Sequence, residues 1–386
     1  MESVPEESRI KLVTSLLKSY ENRAWAESNW ILVRFWQGNG FAFRYERSPH
    51  LLKRVGPKSY QQESISQPRK PCPSIVYQGH VRDVLLKNLQ DTTALLNSLL
   101  NLLNWTFSEF IGMVQEIHNV SSRPERVFIE SRQLKICATC FDLTISLLRV
   151  LEMIITVIPD IFNNSPQSFS ENLLFRSCQL LCQILNRISS QTSCFQHVVL
   201  LEIPDLESVD HYPILAAVTG ILLALLNDDM INSKSKPIAE VPRITQTLLI
   251  EPSFQMSTLY FLLGDLKVED KQGRNIKRFS FSNYKNDVTE EEIEKVKGMI
   301  EYLDECRAIL PNSKISSDNG DICTICYAQP IAVTFKPCNH QTCRICIDRH
   351  LLNSRSCFFC KVTIEKVIDL SSNVLHDFSN EITSSK

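Results

Sequence analysis

Glycine is scarce, at 10 of 386 residues. That is too little for a turn-rich β fold, and the abundant leucine and isoleucine favour long helices. Net charge is nearly absent: 41 Lys/Arg against 43 Asp/Glu leave −2, so no global field draws the chain to nucleic acid or anionic lipid. Long apolar runs are missing too. The longest, Pro213 to Leu226, has 14 residues and ends at Asn227-Asp228-Asp229, short of the ~20 a membrane span requires. It reads as a buried core helix, and no membrane span is expected. Met1 is followed by Glu2-Ser3-Val4-Pro5-Glu6-Glu7, without the basic and apolar regions of a signal peptide. No fixed-period solenoid repeat emerges. With 44% apolar and 22% charged residues, core material is ample and wholesale disorder is excluded.

What is present is helical periodicity. Asp91 reads as an N-cap for a helix through Leu95, Leu99, Leu103, Phe107, Phe110 and Val114. A second helix is expected from near Pro124 to the stop at Pro159, a third over Ser168–Ile188 and a fourth over Pro213–Leu226. Residues 57–74 (PKSYQQESISQPRKPCPS) and 265–288 read as polar linkers. Thr289-Glu290-Glu291-Glu292 is a capping box opening an amphipathic helix with Ile293, Val296, Ile300 and Leu303 on one face. The expected architecture is mainly α. A helical body spans 1–264, a linker with one helix (289–308) spans 265–321, a small zinc-bound α/β module spans 322–369, and a flexible tail spans 370–386.

Seven of the 14 cysteines fall in the 38 residues from Cys323 to Cys360. They read Cys323-x2-Cys326-x11-Cys338-x-His340-x2-Cys343-x2-Cys346-x10-Cys357-x2-Cys360. Eight soft donors suffice for two tetrahedral zinc sites, and a CxxC knuckle brings two sulfurs to about 3.8 Å, the tetrahedral edge for ~2.3 Å Zn–S bonds. One residue between Cys338 and His340 lets an extended backbone point both side chains to one face. Two Zn2+ ions are therefore the expected cofactors. Spacing alone leaves open whether the ligand pairs group sequentially or interleave.

The order C-C-C-H-C-C-C-C resembles a RING finger of the C3HC4 type. That resemblance implies the cross-brace, with Cys323, Cys326, Cys343 and Cys346 on one zinc and Cys338, His340, Cys357 and Cys360 on the other. It also implies ubiquitin transfer by positioning: the RING binds a ubiquitin-charged conjugating enzyme and promotes direct attack by a substrate lysine, with no covalent intermediate and no catalytic side chain. Four residues stand where RINGs meet the conjugating enzyme. Ile325 matches a common apolar contact. His350 replaces a frequent tryptophan and Phe358 a frequent proline. Lys361 stands where an arginine links ubiquitin to the enzyme, with fewer donors and no planar fork. Asn339, between Cys338 and His340, replaces a frequent glycine and tolerates left-handed backbone.

The likeness extends upstream through NWILVRFW (Asn29 to Trp36), LNWTFSEFIGMVQEI (Leu103 to Ile117), SRQLKICATCFDLTISLLRVLEMII (Ser131 to Ile155) and ESVDHYPILAAVTGIL (Glu207 to Leu222). Together with the module from Asp321 to Glu365, these segments resemble the RING finger protein 123 family, catalytic subunits of Kip ubiquitylation-promoting complexes. The resemblance implies a cytoplasmic E3 ligase that works with a ubiquitin-associated-domain partner subunit. Its substrates would be proteins such as cyclin-dependent-kinase inhibitors and a precursor of an NF-κB subunit, directed to proteasomal degradation or processing. Family members are several-fold longer, with an upstream SPRY domain absent from this chain.

The competing reading is a zinc-stabilised interaction scaffold with an inactive RING, favoured by His350 and Lys361. Nucleic-acid binding is disfavoured. Residues 322–369 carry six Lys/Arg and three Asp/Glu, and seven thiolates with two zinc ions cancel the excess. Cys137-x2-Cys140 and the Cys178/Cys182 pair, amid apolar helical residues, read as core cysteines rather than redox or metal pairs. The run from Lys271 to Phe281 reads as a linker that docks Phe279 and Phe281 on the body.

Overall fold

The computed structural model describes residues 4–43, 74–121, 131–162, 167–189, 194–235, 240–264, 279–310, 323, 331–351, 355, 357, 362–371 and 373–378. Among them, eleven helices form the body. These are α1 (Glu6–Lys18), α2 (Trp25–Trp36), α3 (Ser74–Lys87), α4 (Leu89–Ser121), α5 (Ser131–Val157), α6 (Gln167–Ser189), α7 (Cys194–Leu200), α8 (His211–Ser235), α9 (Arg243–Leu249), α10 (Met256–Leu263) and α11 (Glu290–Ile309). Their apolar stripes meet in one core that runs from Val13 to Leu310.

Helix α5 is the axis of that core. It packs against α2, α3, α4 and α8, and every residue from Thr144 to Ile155 is buried, as expected of a helix enclosed on all sides. Phe110 of α4, Phe141 of α5 and Phe195 of α7 form an aromatic cluster with ring centroids 5.1 and 5.9 Å from Phe110. Helix α8 is apolar all round. Its segment His211–Ser233 has a mean hydropathy of 1.8, long and apolar enough to cross a membrane by length and composition. In this fold it is a core helix, with Ile214, Leu215, Val218, Ile221, Leu222 and Leu226 buried against α5, α6, α9 and α11.

Several polar groups inside the core are tied to one another. Arg149 Nη1 and Glu152 Oε2 pair at 2.7 Å with side chains 3% and 2% exposed. Both grip the loop after α2: Phe41 N donates to Glu152 Oε1 at 2.8 Å, and Arg149 Nη1 donates to Phe41 O at 2.9 Å. The guanidinium lies 4.4 Å from the Phe43 ring centroid. Ala42 N donates to Glu292 Oε1 at 2.9 Å, and Tyr212 Oη donates to Ala42 O at 3.0 Å. One loop thus joins α2, α5, α8 and α11. Gly220 allows this approach, because a Cβ there would lie 2.0 Å from Glu152 Oε1.

Several expected boundaries move. The cap of α4 is Asn88 rather than Asp91: its Oδ1 accepts from Gln90 N at 3.1 Å and Asp91 N at 3.4 Å, leaving Asp91 in the first turn. Helix α5 is described from Ser131, so its expected start near Pro124 lies outside the described residues, as do 57–73 and 311–321 of the expected linkers. The capping box of α11 forms as expected, with Thr289 and Glu292 satisfying each other's backbone. Helix α11 belongs to the body, however: Val296, Met299, Ile300, Tyr302, Leu303 and Cys306 are buried in the main core. The described end of the 265–288 segment docks as expected. Phe281 is fully buried, and Phe279 stacks on Phe261 at 5.7 Å.

Cys137, Cys140, Cys178 and Cys182 are all buried. Burial, with the neighbouring Cys140, pushes the Cys137 thiol up to about 12. Burial, with Glu251 nearby, does the same to Cys178, and Cys182 is raised well above its ordinary range. Only the thiolate is a nucleophile, so iodoacetamide at pH 8 should leave these three unmodified in the native chain and alkylate all of them in denaturant. Rapid native labelling of Cys137, read by mass spectrometry, would restore the redox or metal reading. The buried ion pair makes a second prediction. Glu152→Ala leaves Arg149 uncompensated and should cost about 3–5 kcal/mol in urea unfolding followed by helical circular dichroism. The double variant Arg149→Met/Glu152→Leu should lose less than that single variant does.

Candidate metal centre

The C-terminal module has its own small core of Val333, Phe335, Ile347, Cys357, Ile364 and Val367. Around it lie β1 (Val333–Lys336), β2 (Gln341–Thr342), α12 (Arg344–Leu351), β3 (Lys366–Asp369) and β4 (Val374–Asp377). The sheet order is β2-β1-β3-β4, and all three pairings are antiparallel. Strand β1 alternates buried and half-buried residues, which sets Val333 and Phe335 against α12. The expected tail after Leu370 begins inside this sheet as β4. Its turn is closed by Asn373 N to Asp369 Oδ1 at 2.8 Å and Asn373 Nδ2 to Asp369 Oδ2 at 2.9 Å. The Asn373 side-chain bond holds the Asp369 carboxyl below its ordinary range.

The local folds deliver the sulfurs and the imidazole. Cys338 and His340 flank Asn339 in the turn between β1 and β2. Asn339 adopts φ 57°, the left-handed backbone its type tolerates, and its N donates to Phe335 O at 2.7 Å. Cys343 directly precedes α12, which carries Cys346, and Cys346 N donates to Cys343 Sγ at 3.4 Å, the knuckle that turns both sulfurs inward. The six described donors fall into two groups: Cys323 with Cys343 and Cys346, and Cys338 with His340 and Cys357. Within each group the donor atoms lie within 4.8 Å of one another. The grouping is interleaved along the chain, not sequential. Cys326 and Cys360, expected to complete the two sets, lie outside the described residues.

The donors fit a tetrahedral ion. Zn–S bonds of ~2.3 Å and Zn–N bonds of ~2.0 Å imply an S···N edge of about 3.5 Å, and Cys357 Sγ stands 3.6 Å from His340 Nδ1. Thiolates and one imidazole are the soft donor set that zinc takes. Of the four residues expected to meet a conjugating enzyme, His350 is half-buried on α12, while Ile325, Phe358 and Lys361 lie outside the described residues. Sequence reasoning missed Ile345, an apolar α12 side chain 51% exposed. It missed Trp105 of α4 as well, 54% exposed, whereas Trp36 is buried and Trp25 and Trp30 pack on the core. It also missed the contacts β4 makes.

Comparison with known proteins agrees with these features. Residues 319–367 match the family model "Zinc finger, C3HC4 type (RING finger)". Residues 93–301 match the model "RNF123-like, TPR repeat", whose span runs from α4 into α11. Over 362 residues the chain is 26% identical to the E3 ubiquitin-protein ligase RKP of Arabidopsis thaliana, covering 92% of this chain and 25% of the relative. The chain thus spans about a quarter of that relative's length. Helices α4, α5 and α6 have 33, 27 and 23 residues, long against a 34-residue helix–turn–helix unit, which accounts for the missing sequence period. A helical region of this type followed by an interleaved C3HC4 module places the chain in the RNF123-like family.

Proposed function

We propose that the chain is a RING-type E3 ubiquitin-protein ligase module. The observation that carries this reading is the interleaving of the two donor groups around a core of six residues. Such a core is too small to stand alone. In this reading Cys323, Cys326, Cys343 and Cys346 hold one zinc ion and Cys338, His340, Cys357 and Cys360 hold the other. The ions supply folding energy, roughly 10–16 kcal/mol each in small fingers. The cysteines are ligands rather than nucleophiles, so ubiquitin passes directly from the conjugating enzyme to a substrate lysine, and no thioester forms on the RING. Catalysis comes from holding the charged enzyme in a reactive geometry.

The docking surface consists of Ile325, His350, Phe358 and Lys361, with Ile325 and Phe358 as apolar anchors and Lys361 in the role of the arginine that links ubiquitin to the enzyme. Membership of the RNF123-like family and likeness to a ligase support this assignment. Substrates are proteins such as cyclin-dependent-kinase inhibitors, handed on for proteasomal degradation or processing, and the helical body offers a surface for a ubiquitin-associated-domain partner subunit. The site of action is the cytoplasm. His350 in place of the frequent tryptophan is the feature that favours an inactive scaffold instead.

The deciding measurement is discharge of ubiquitin from a charged conjugating enzyme to free lysine by the full chain. Acceleration is expected, with loss of about tenfold in Ile325→Ala, the scale of an interface anchor. It should vanish on chelation of zinc, and Cys338→Ser should bind fewer than two zinc ions. A chain that holds two zinc ions and accelerates no conjugating enzyme across a panel would establish the scaffold.

A further inference from the structure

Strand β4 lies beyond the last expected zinc ligand, yet it is built into the module. Lys366 pairs with Asp377, Val367 with His376 and Ile368 with Val374, which leaves Leu375 as an extra residue in a bulge. Bulges re-aim side chains, and this one has a specific result. Val367 is a fully buried core residue, and its partner His376 shares its face of the sheet. The extra residue lets Leu375 pack on the same core. Two successive side chains therefore turn toward α12, where a regular strand would offer one.

His376 uses that orientation. Its Nε2 donates to Asp348 Oδ1 of α12 at 3.1 Å, and Arg344 Nε lies 3.6 Å from the other carboxylate oxygen, Oδ2. The strand is held from its own side by Lys366 Nζ to Asp377 Oδ2 at 2.9 Å and by Phe378 N to Glu365 O at 2.7 Å. The Arg355 guanidinium also lies 4.4 Å from the Phe378 ring centroid.

An eight-residue helix has little stability of its own. Cys343 and Cys346 fix the start of α12, and Ile347 and Leu351 face the core. The tie from Asp348 to β4 adds a third point, two residues before His350, and so sets the rotation at which His350 is presented. We propose that β4 is a positioning element for the conjugating-enzyme surface, acting through the hydrogen bond from His376 to Asp348. His376 is a positioning residue that touches neither ubiquitin nor the zinc ligands. This inference rests on the ligase reading above.

The test compares the full chain with His376→Ala and with His376→Gln, whose amide nitrogen stands near the place of Nε2. Three quantities are read: zinc content, the conjugating-enzyme concentration giving half-maximal discharge, and hydrogen exchange of α12 amides. His376→Ala should keep two zinc ions, raise the half-maximal concentration about fivefold with the maximal rate unchanged, and speed α12 exchange. His376→Gln should restore both to within about twofold, the loss and recovery of one hydrogen bond. An alanine variant indistinguishable from the parent overturns the proposal. So does equal impairment of both variants, which would mark a steric role, and so does loss of zinc from the alanine variant, which would make β4 a folding element only. If the parent chain discharges no conjugating enzyme, the ligase reading fails by itself. The exchange data then decide whether the His376 tie positions α12.

Discussion

The helical body depends on one buried ion pair. Arg149 and Glu152 lie on α5, the helix that α2, α3, α4 and α8 pack against, and neither reaches water. Two charges taken out of solvent are better tolerated the more of their remaining donors and acceptors are met. Here the backbone of Phe41 meets one from each partner. The loop before residue 44 is therefore held by charge as well as by packing, and the same loop receives Tyr212 from α8 and Glu292 from α11. Glu292 serves twice: one oxygen closes the capping box of its own helix and the other holds Ala42. Initiation of α11 and docking of the loop after α2 are thereby coupled through a single carboxylate.

The C-terminal module has the opposite economy. Its core holds six buried side chains, against a body core that runs from Val13 to Leu310. In place of buried area the module offers donor groups placed for cross-linking by a metal ion. Donors from the segment before β1, from the turn after β1, from the start of α12 and from the loop before β3 converge in interleaved groups, so that each group ties together segments distant in sequence. Sequential grouping would make two independent knuckles. Interleaving makes one object, in which moving either group moves the other.

How much of this was legible from sequence depends on whether the governing signal is local. The capping box at Thr289, the left-handed Asn339 and the long apolar helices are local; the first two appear where spacing puts them, and the helices appear with some ends shifted. Partnership is not local. The stripe of α11 announces a buried face but not which core it joins, and a polar linker before it suggested separation where the structure shows continuity. The cap of α4 shifted from Asp91 to Asn88 because two adequate capping residues stand three apart, and the geometry of Thr92, whose hydroxyl donates to Leu85 O at 2.6 Å, favours the earlier turn. The strand β4 was hidden by its setting: four residues in a Ser/Asn-rich tail carry no alternation strong enough to read.

That hidden strand bears on how a RING works without a reacting side chain. In the proposed reading the rate gain comes from geometry, so the residues that matter include those fixing the orientation of the docking surface as well as those forming it. There zinc would hold the start of α12 through Cys343 and Cys346, and Ile347 and Leu351 seat the helix on the module core. Asp348 adds a directional tie near the helix centre, 3.1 Å from His376 Nε2. Its partner comes from beyond the last expected ligand, from His376 of β4. A strand added after the last ligand, with a bulge that turns two residues to one face, is an economical way to supply it.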